Sequence, residues 1–130
     1  MDTPGQRILI VDDDPALLKM MGLFLTRMGY SVTTRGGTDQ AWAELESQAG
    51  ELAGAVLDAT MPGLSTQDLA FKLLAANPSL CVVVASGYPV DMTALEAAAA
   101  GRVEFVQKPF TAQTLAGTLR RMIAAQKKDV

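Results

Sequence analysis

Polar side chains follow several short apolar runs of this chain, and their types suit phosphoryl chemistry. Asp12–Asp14 follow 8–11, Asp58 follows 55–57, Ser86 follows 82–85 and Lys108 follows 103–107. Short β-branched runs separated by helical stretches predict strands of a parallel sheet buried on both faces. In open sheets of that kind, ligands bind beyond the carboxyl ends of the strands. The sequence therefore predicts that carboxylates, a hydroxyl and an ammonium group meet at one edge of the sheet.

Asp12 and Asp13 are candidate ligands of a metal ion. A run of acids before a helix is often only a solvated helix start, and Asp14 fits that interpretation as an N-cap before Pro15. Asp12 and Asp13 fit it poorly, because they stand where a buried strand ends and repel each other unless a cation offsets their charge. Mg²⁺ suits such a place, since it takes carboxylate and carbonyl oxygens and keeps several waters.

Asp58 is a candidate nucleophile. An aspartate at a strand-to-loop junction can be unremarkable, but the third strand is expected beside the first, which places Asp58 next to Asp12 and Asp13. A carboxylate held beside Mg²⁺ can attack a phosphoryl group and form an acyl phosphate. Positioning and charge neutralisation are most of what this chemistry requires of a protein.

Ser86 and Lys108 complete the predicted site. Ser86 could simply begin a turn with Gly87, yet at this edge its hydroxyl can donate to a phosphoryl oxygen. Lys108 is expected to face the carboxylates, where it can pair with Asp58 and then with the phosphoryl group. Pro109 follows it, and a cis bond before proline costs only about 0.5–1 kcal/mol.

The elements that must position these residues are five strands alternating with five helices. We predict strands at about 7–11, 30–34, 54–58, 81–86 and 103–107, and helices at about 15–28, 39–49, 65–77, 91–100 and 112–127. Ser65 and Asp68 have capping-box spacing, and Thr111 is the expected N-cap of the last helix. The fourth helix is largely alanine, which favours helix but buries little apolar area. The pattern predicts one doubly wound α/β domain.

Composition excludes several classes of protein. The chain has 130 residues, 49% of them hydrophobic, which is enough for one domain with a real core. A net charge of −3 argues against a general affinity for nucleic acid or anionic membranes. No apolar run approaches a membrane span, 1–5 is no signal peptide, and the lone Cys81 is expected in the core, so we expect a cytoplasmic protein. The absence of histidine removes histidine-based catalysis and a phosphohistidine-carrier role.

The whole chain resembles the receiver domain of two-component response regulators, of the kind found in chemotaxis regulators. The matching pieces, in order and at family spacing, are Ile8–Pro15, Val56–Asp58, Met61–Gly63, Ser86–Gly87 and Lys108–Phe110. The resemblance implies a flavodoxin-like (βα)5 fold with strand order 2-1-3-4-5. It implies a single receiver domain over 1–130, with a core of about 7–127.

The resemblance also implies roles for the site residues. Asp58 would accept a phosphoryl group from a sensor histidine kinase or a phosphotransfer protein. Mg²⁺ would be bound by Asp12, Asp13, Asp58 and the carbonyl of Thr60. The phosphoryl group would be contacted by Ser86 and Lys108, and the switch aromatic would be Phe105. Such a domain is a signalling phosphoacceptor with self-catalysed phosphorylation and dephosphorylation, not an enzyme. A downstream protein would bind through the fourth helix, fifth strand and fifth helix, with no nucleic acid or membrane partner.

Two departures from the family pattern are visible. Leu64–Thr66 stand where many receivers have Met-Asp-Gly, and losing that glycine makes the loop less permissive. Phe105 lacks the hydroxyl that tyrosine carries in some members, so no hydrogen bond can lock its ring in place.

Two other functions compete with the receiver hypothesis. A haloacid-dehalogenase-like phosphatase would use Asp12 and Asp14 with Ser86 and Lys108, but it leaves Asp58 idle, and the chain has neither a later acidic strand end nor a cap segment. A receiver-like binding module that is never phosphorylated is the second alternative. It leaves unexplained why every position that the phosphorylation chemistry needs is filled.

Overall fold

The computed structural model of the chain describes residues 5–61 and 63–127, and Pro62 of the predicted motif and Lys128 lie outside these ranges. The strands are β1 Arg7–Val11, β2 Ser31–Arg35, β3 Leu52–Asp58, β4 Cys81–Ser86 and β5 Val103–Gln107. The α-helices are α1 Pro15–Arg27, α2 Thr38–Leu45, α3 Thr66–Ala76, α4 Thr93–Ala98 and α5 Ala112–Lys127, and a 3-10 helix spans Glu46–Glu51.

The five strands form one parallel sheet in the order β2-β1-β3-β4-β5. This confirms the predicted doubly wound, flavodoxin-like α/β fold. In the register, Val11 pairs with Leu57, Asp58 with Ala85 and Ser86 with Gln107, so the carboxyl ends of β1, β3, β4 and β5 lie side by side. The polar residues that follow these strands are thereby brought to one edge.

The sheet is covered on both faces, which is why its central strands are apolar throughout. On one face Leu57 and Val84 pack in a cluster with residues of α2, α3 and α4. On the other face Val56 and Val83 pack with residues of α1 and α5. Every residue of β4 is buried, as expected for a parallel strand between two helical layers. Cys81 belongs to this core, where burial raises the pKa of its thiol to about 12.

Helix starts follow the predicted capping residues. The Asp14 carboxylate accepts hydrogen bonds from the backbone N–H groups of Ala16 and Leu17, at 3.0 and 3.3 Å. Ser65 Oγ accepts from the N–H of Asp68, and Thr111 Oγ1 accepts from that of Thr114. These bonds satisfy backbone donors that an α-helix leaves unpaired at its first turn.

Two predicted helices were too long. The helix predicted at 39–49 ends at Leu45 and continues as the 3-10 helix, after which β3 begins two residues earlier than predicted. The helix predicted at 91–100 covers only Thr93–Ala98. At its start the Asp91 side chain accepts from the N–H of Thr93, which favours a turn over another helical residue. At its end Gly101 has a φ of +79°, outside the helical region.

Side chains bond to backbone carbonyls at the other edge of the sheet, where the strands begin. The Asn77 amide donates to the carbonyls of Ala49 and Leu52, and the Arg102 guanidinium donates to those of Leu74, Asn77 and Leu80. These bonds connect the end of α3 to the starts of β3 and β4. Among the described residues, no helix is both long and apolar enough to cross a membrane.

Candidate functional site

The structure brings the predicted site residues together at the carboxyl edge of the sheet. Asp12 follows β1, Asp58 ends β3, Ser86 ends β4 and Lys108 follows β5. Asp12, Asp58 and Ser86 are only 3%, 8% and 4% exposed. Polar groups this buried need partners. The side chains of Asp12, Asp58 and Ser86 find them in nearby backbone N–H groups, and the two carboxylates also in Lys108.

Three carboxylates form a cluster. One oxygen each from Asp12, Asp13 and Asp58 lies within 4.8 Å of the other two. Asp12 and Asp58 are buried, whereas Asp13 is exposed at the mouth of the cluster. Asp12 is also bonded locally: its Oδ1 accepts a hydrogen bond from the backbone N–H of Asp14 at 2.9 Å.

Lys108 lies between two of these carboxylates. Its Nζ is 2.8 Å from Asp12 Oδ2 and 3.6 Å from Asp58 Oδ1. The sequence predicted a pair with Asp58, and the closer partner is Asp12. Burial by itself would lower the pKa of Lys108, but the carboxylates of Asp12 and Asp58 outweigh it and raise that pKa. The ammonium group is therefore held in its charged form.

The Asp58 carboxyl is electrostatically disfavoured as an anion. Burial raises its pKa most, and the negative charges of Asp12 and Asp13 raise it further. The N–H of Thr60, which donates to Asp58 Oδ1 at 3.3 Å, and the charge of Lys108 lower it, but the net change is upward. One ammonium group thus leaves the cluster with excess negative charge, which a bound cation would offset.

The cluster fits a hard divalent cation. Carboxylate oxygens that converge within a few ångströms on a partly open edge match the oxygen ligands that Mg²⁺ prefers, with waters completing the shell. Asp12, Asp13 and Asp58 are the side chains that could hold it. The backbone of Thr60 follows directly in the loop after β3.

The remaining predicted residues surround this cluster. The Ser86 side chain accepts from the N–H of Tyr88 at 3.1 Å, and Tyr88 itself is 78% exposed. Lys108 N–H donates to the Ser86 carbonyl at 2.8 Å, and the bond from Lys108 to Pro109 is cis. Phe105 is half-buried on β5, beside Val84 of β4, and so lies on the strand next to Ser86.

Sequence reasoning missed three side chains that hold the loop between β3 and α3. Thr66 bonds to the backbone of Asp58, and Thr38 and Asp39 bond to the backbone of Leu64. For Thr66 a signal existed, because it occupies a position where many receivers have glycine. For Thr38 and Asp39 the contacts span about 25 positions and no local pattern announces them.

Comparison with known proteins gives a consistent result. The family model of the response regulator receiver domain matches residues 8–120. The DNA-binding transcriptional regulator NtrC of Rhizobium meliloti is 32% identical over 124 residues, which are 95% of this chain and 25% of that protein. The DNA-binding response regulator MtrA of Mycolicibacterium smegmatis is 29% identical over 129 residues, 99% of this chain and 55% of that protein. This chain thus spans about a quarter and about half of these relatives.

Solved structures share the fold of this chain. A CheY-like response regulator receiver domain protein from Methanospirillum hungatei superposes with a TM-score of 0.84 at 24% identity, covering 97% of this chain and 99% of that one. The receiver domain of the hybrid histidine kinase CckA has a TM-score of 0.75 at 26% identity, covering 90% of this chain and 98% of that one.

Proposed function

The chain belongs to the response regulator receiver domain family, and on that premise we propose that Asp58 is its phosphoacceptor, working with Mg²⁺. The observation that carries the proposal is the proximity of Asp58 to Asp12, Asp13 and Lys108. One oxygen from each of the three carboxylates lies within 4.8 Å of the other two, and the Lys108 ammonium group forms ion pairs with the carboxylates of Asp12 and Asp58. A buried carboxylate with these neighbours is suited to accept a phosphoryl group on one of its oxygens.

The proposed reaction moves a phosphoryl group onto Asp58. A carboxylate oxygen attacks the phosphorus of a phosphohistidine or of a small acyl phosphate, the new O–P bond forms, and the bond from phosphorus to the donor atom breaks. Bound to Asp12, Asp13, Asp58 and the Thr60 carbonyl, Mg²⁺ would supply neutralisation of the phosphoryl oxygens. The donor would be a sensor histidine kinase or a phosphotransfer protein, and hydrolysis of the acyl phosphate would be catalysed by the domain itself.

Two further side chains would act on the transferred group. Lys108 already bridges Asp12 and Asp58, so it needs only a small displacement to contact a phosphoryl oxygen on Asp58. The Ser86 hydroxyl lies at the end of the neighbouring strand, where Ala85 pairs with Asp58, and can donate to a second oxygen. Both contacts favour the phosphorylated state over the unmodified one.

The proposed output is a change of partner binding on the face made by α4, β5 and α5. Ser86 begins the connection from β4 to α4, and Phe105 lies half-buried on β5 next to β4. The α4 helix has only six residues, and Leu95 is its buried anchor, so little apolar burial opposes its displacement. A pull on Ser86 could therefore bias the position of α4 and of Phe105.

The phosphatase alternative receives no support from the comparisons, and one observation opposes it. It requires Asp12 and Asp14 to act as a pair, but the Asp14 carboxylate is the N-cap of α1 and is bound to two backbone N–H groups there. The non-phosphorylated alternative is separated from the proposal by experiment.

The test is transfer from acetyl phosphate in the presence of Mg²⁺, followed by intact mass. We expect the wild-type chain to gain one phosphoryl group and Asp58→Asn to gain none. Asp68→Asn, an exposed aspartate on α3, is the matched control and should behave like wild type. Equal mass gain in Asp58→Asn would refute the assignment, and no gain in any variant would favour the binding-module alternative.

A further inference from the structure

The loop between β3 and α3 is fastened at both of its ends by side chains from outside it. The loop, 59–65, directly follows Asp58 and contains Thr60. The path of its backbone therefore affects the position of the Asp58 side chain and of the Thr60 carbonyl. Contacts that hold this loop in place therefore affect the candidate site as well as the stability of the fold.

At the near end, the peptide group that joins Asp58 to Ala59 is bonded on both sides. Its carbonyl, that of Asp58, accepts a 2.5 Å hydrogen bond from Thr66 Oγ1. Its N–H, that of Ala59, donates to the carbonyl of Ala85 at 2.8 Å. Thr66 is only 5% exposed, so its hydroxyl is shielded from competing water. The plane of this peptide is thus fixed from α3 and from β4.

At the far end, both backbone groups of Leu64 are bonded to the first turn of α2. The N–H of Leu64 donates to Asp39 Oδ1 at 2.9 Å, and the carbonyl of Leu64 accepts from Thr38 Oγ1. Gly63 precedes them with a φ of +88°, and a Cβ added there would collide with the Asp39 carboxylate. The loop is therefore held close against α2.

We propose that Thr66 is a positioning residue for the chemistry at Asp58, and that Thr38 and Asp39 serve the same loop at its other end. By fixing the peptide after Asp58, the Thr66 hydroxyl holds the start of the loop, whose Thr60 N–H donates to Asp58 Oδ1 at 3.3 Å. It would thereby position the Asp58 carboxylate and the backbone of Thr60 for binding a cation. The inference deepens the proposed function and rests on it. Many receivers have glycine at the position of Thr66, and glycine carries no hydroxyl that could make this contact.

The test compares Thr66→Val, which removes the hydroxyl and keeps the branched shape, with Thr66→Ser, which keeps the hydroxyl. The first readout is the Mg²⁺ dissociation constant, measured by calorimetry without a phosphoryl donor; the second is the phosphorylation rate with acetyl phosphate. The energy of one hydrogen bond corresponds to a factor of about 2 to 10, which is the upper limit for its effect on binding. We therefore expect Thr66→Val to raise the dissociation constant by up to that factor. Thr66→Ser should restore the wild-type affinity.

Thr26→Val provides the matched control. Thr26 is exposed in the last turn of α1, at the end of that helix far from the site, and its replacement should leave Mg²⁺ binding unchanged. A merely structural role for Thr66 would lower the melting temperature of Thr66→Val without changing its Mg²⁺ affinity, and that result would overturn the inference. A wild-type chain that binds Mg²⁺ but gains no phosphoryl group would overturn the proposed function instead.

A second pair of variants keeps the inference testable if Thr66→Val does not fold. Asp39→Ala and Asp39→Asn both remove the negative charge, but only asparagine keeps an oxygen that can accept from Leu64 N–H. We expect Asp39→Asn to bind Mg²⁺ more tightly than Asp39→Ala. Equal affinity in these two variants would contradict the claim that the loop is positioned from α2.

Discussion

Replacement of Gly63 by alanine tests the contact between this loop and α2 directly. Gly63 has a φ of +88°, and a Cβ there would meet the Asp39 carboxylate. A left-handed backbone costs a residue with a Cβ about 1–2 kcal/mol. The short Asp39 side chain would also have to turn away and give up its hydrogen bond to Leu64, which contributes about 0.5–1.5 kcal/mol. Together Gly63→Ala should lower the free energy of unfolding by about 1.5–3.5 kcal/mol.

The two terms can be separated by a double-mutant cycle. In an Asp39→Ala background there is no carboxylate for the new Cβ to meet and no hydrogen bond to Leu64 to lose. Gly63→Ala should then cost only the free energy of the left-handed backbone conformation. The difference between the two backgrounds, about 0.5–1.5 kcal/mol, measures the coupling between positions 63 and 39. Urea unfolding followed by far-ultraviolet circular dichroism gives each free energy.

A control substitution of the same type should have the opposite sign. Gly117 lies exposed in α5 and an added Cβ meets nothing within 4 Å, so Gly117→Ala should stabilise the domain by up to about 1 kcal/mol. If Gly63→Ala costs the same in both backgrounds, Asp39 does not contact position 63 and the anchoring of the loop described above is wrong.

Three further outcomes are expected. In metal-free buffer, Asp58→Asn should raise the melting temperature at neutral pH, because burial raises the pKa of Asp58 in the folded state and its ionised form therefore destabilises the fold. The gain should vanish as the pH of the thermal melts falls through that raised pKa toward the ordinary value of 3.8. Asp13→Ala should abolish calorimetric Mg²⁺ binding, whereas Asp14→Ala should nearly preserve it and cost about 0.5–2 kcal/mol as a lost N-cap; tight binding by Asp13→Ala would contradict the metal assignment. Arg102→Met should cost about 2–4 kcal/mol in urea unfolding, because three carbonyls lose a charged donor, and Arg102→Lys should recover part of that; a neutral Arg102→Met would mean these bonds contribute nothing.

Much of the architecture follows from local patterns. Apolar β-branched runs predicted β1, β4 and β5 at their observed bounds, because strands buried on both faces leave few other residue types possible. Caps at Asp14, Ser65 and Thr111 were predictable for a different reason: each bonds to a backbone donor only two or three residues away. The convergence of Asp12 with Asp58 and Lys108 followed from the parallel arrangement of the strands, which places all their carboxyl ends at one edge of the sheet.

The sequence left two kinds of feature unpredicted: helix ends with weak local signals, and contacts between residues that only the fold brings together. The end of α2 at Leu45 and the start of α4 at Thr93 are decided by weak local preferences, and alanine- and polar-rich stretches do not mark such ends sharply. The preference of Lys108 for Asp12 over Asp58 is a difference of less than 1 Å between two neighbouring carboxylates. The Thr66 hydroxyl bonds to a backbone carbonyl eight positions earlier, and only the folded loop brings the two groups together.

The bonds of Asn77 and Arg102 to backbone carbonyls have a consequence for how the molecule fluctuates. They join α3, β3 and β4 at the edge opposite the site, without using any group that gains or loses charge there. Local unfolding should therefore begin at the loops around the carboxylates, while the starts of β3 and β4 become exposed only when the whole domain opens. Amide hydrogens at Leu80 and Val82 should then exchange with solvent at the rate of global unfolding, with or without a phosphoryl group on Asp58. One edge of the sheet would therefore stay fixed while the opposite edge moves, so that a movement at the site changes its position relative to the rest of the domain.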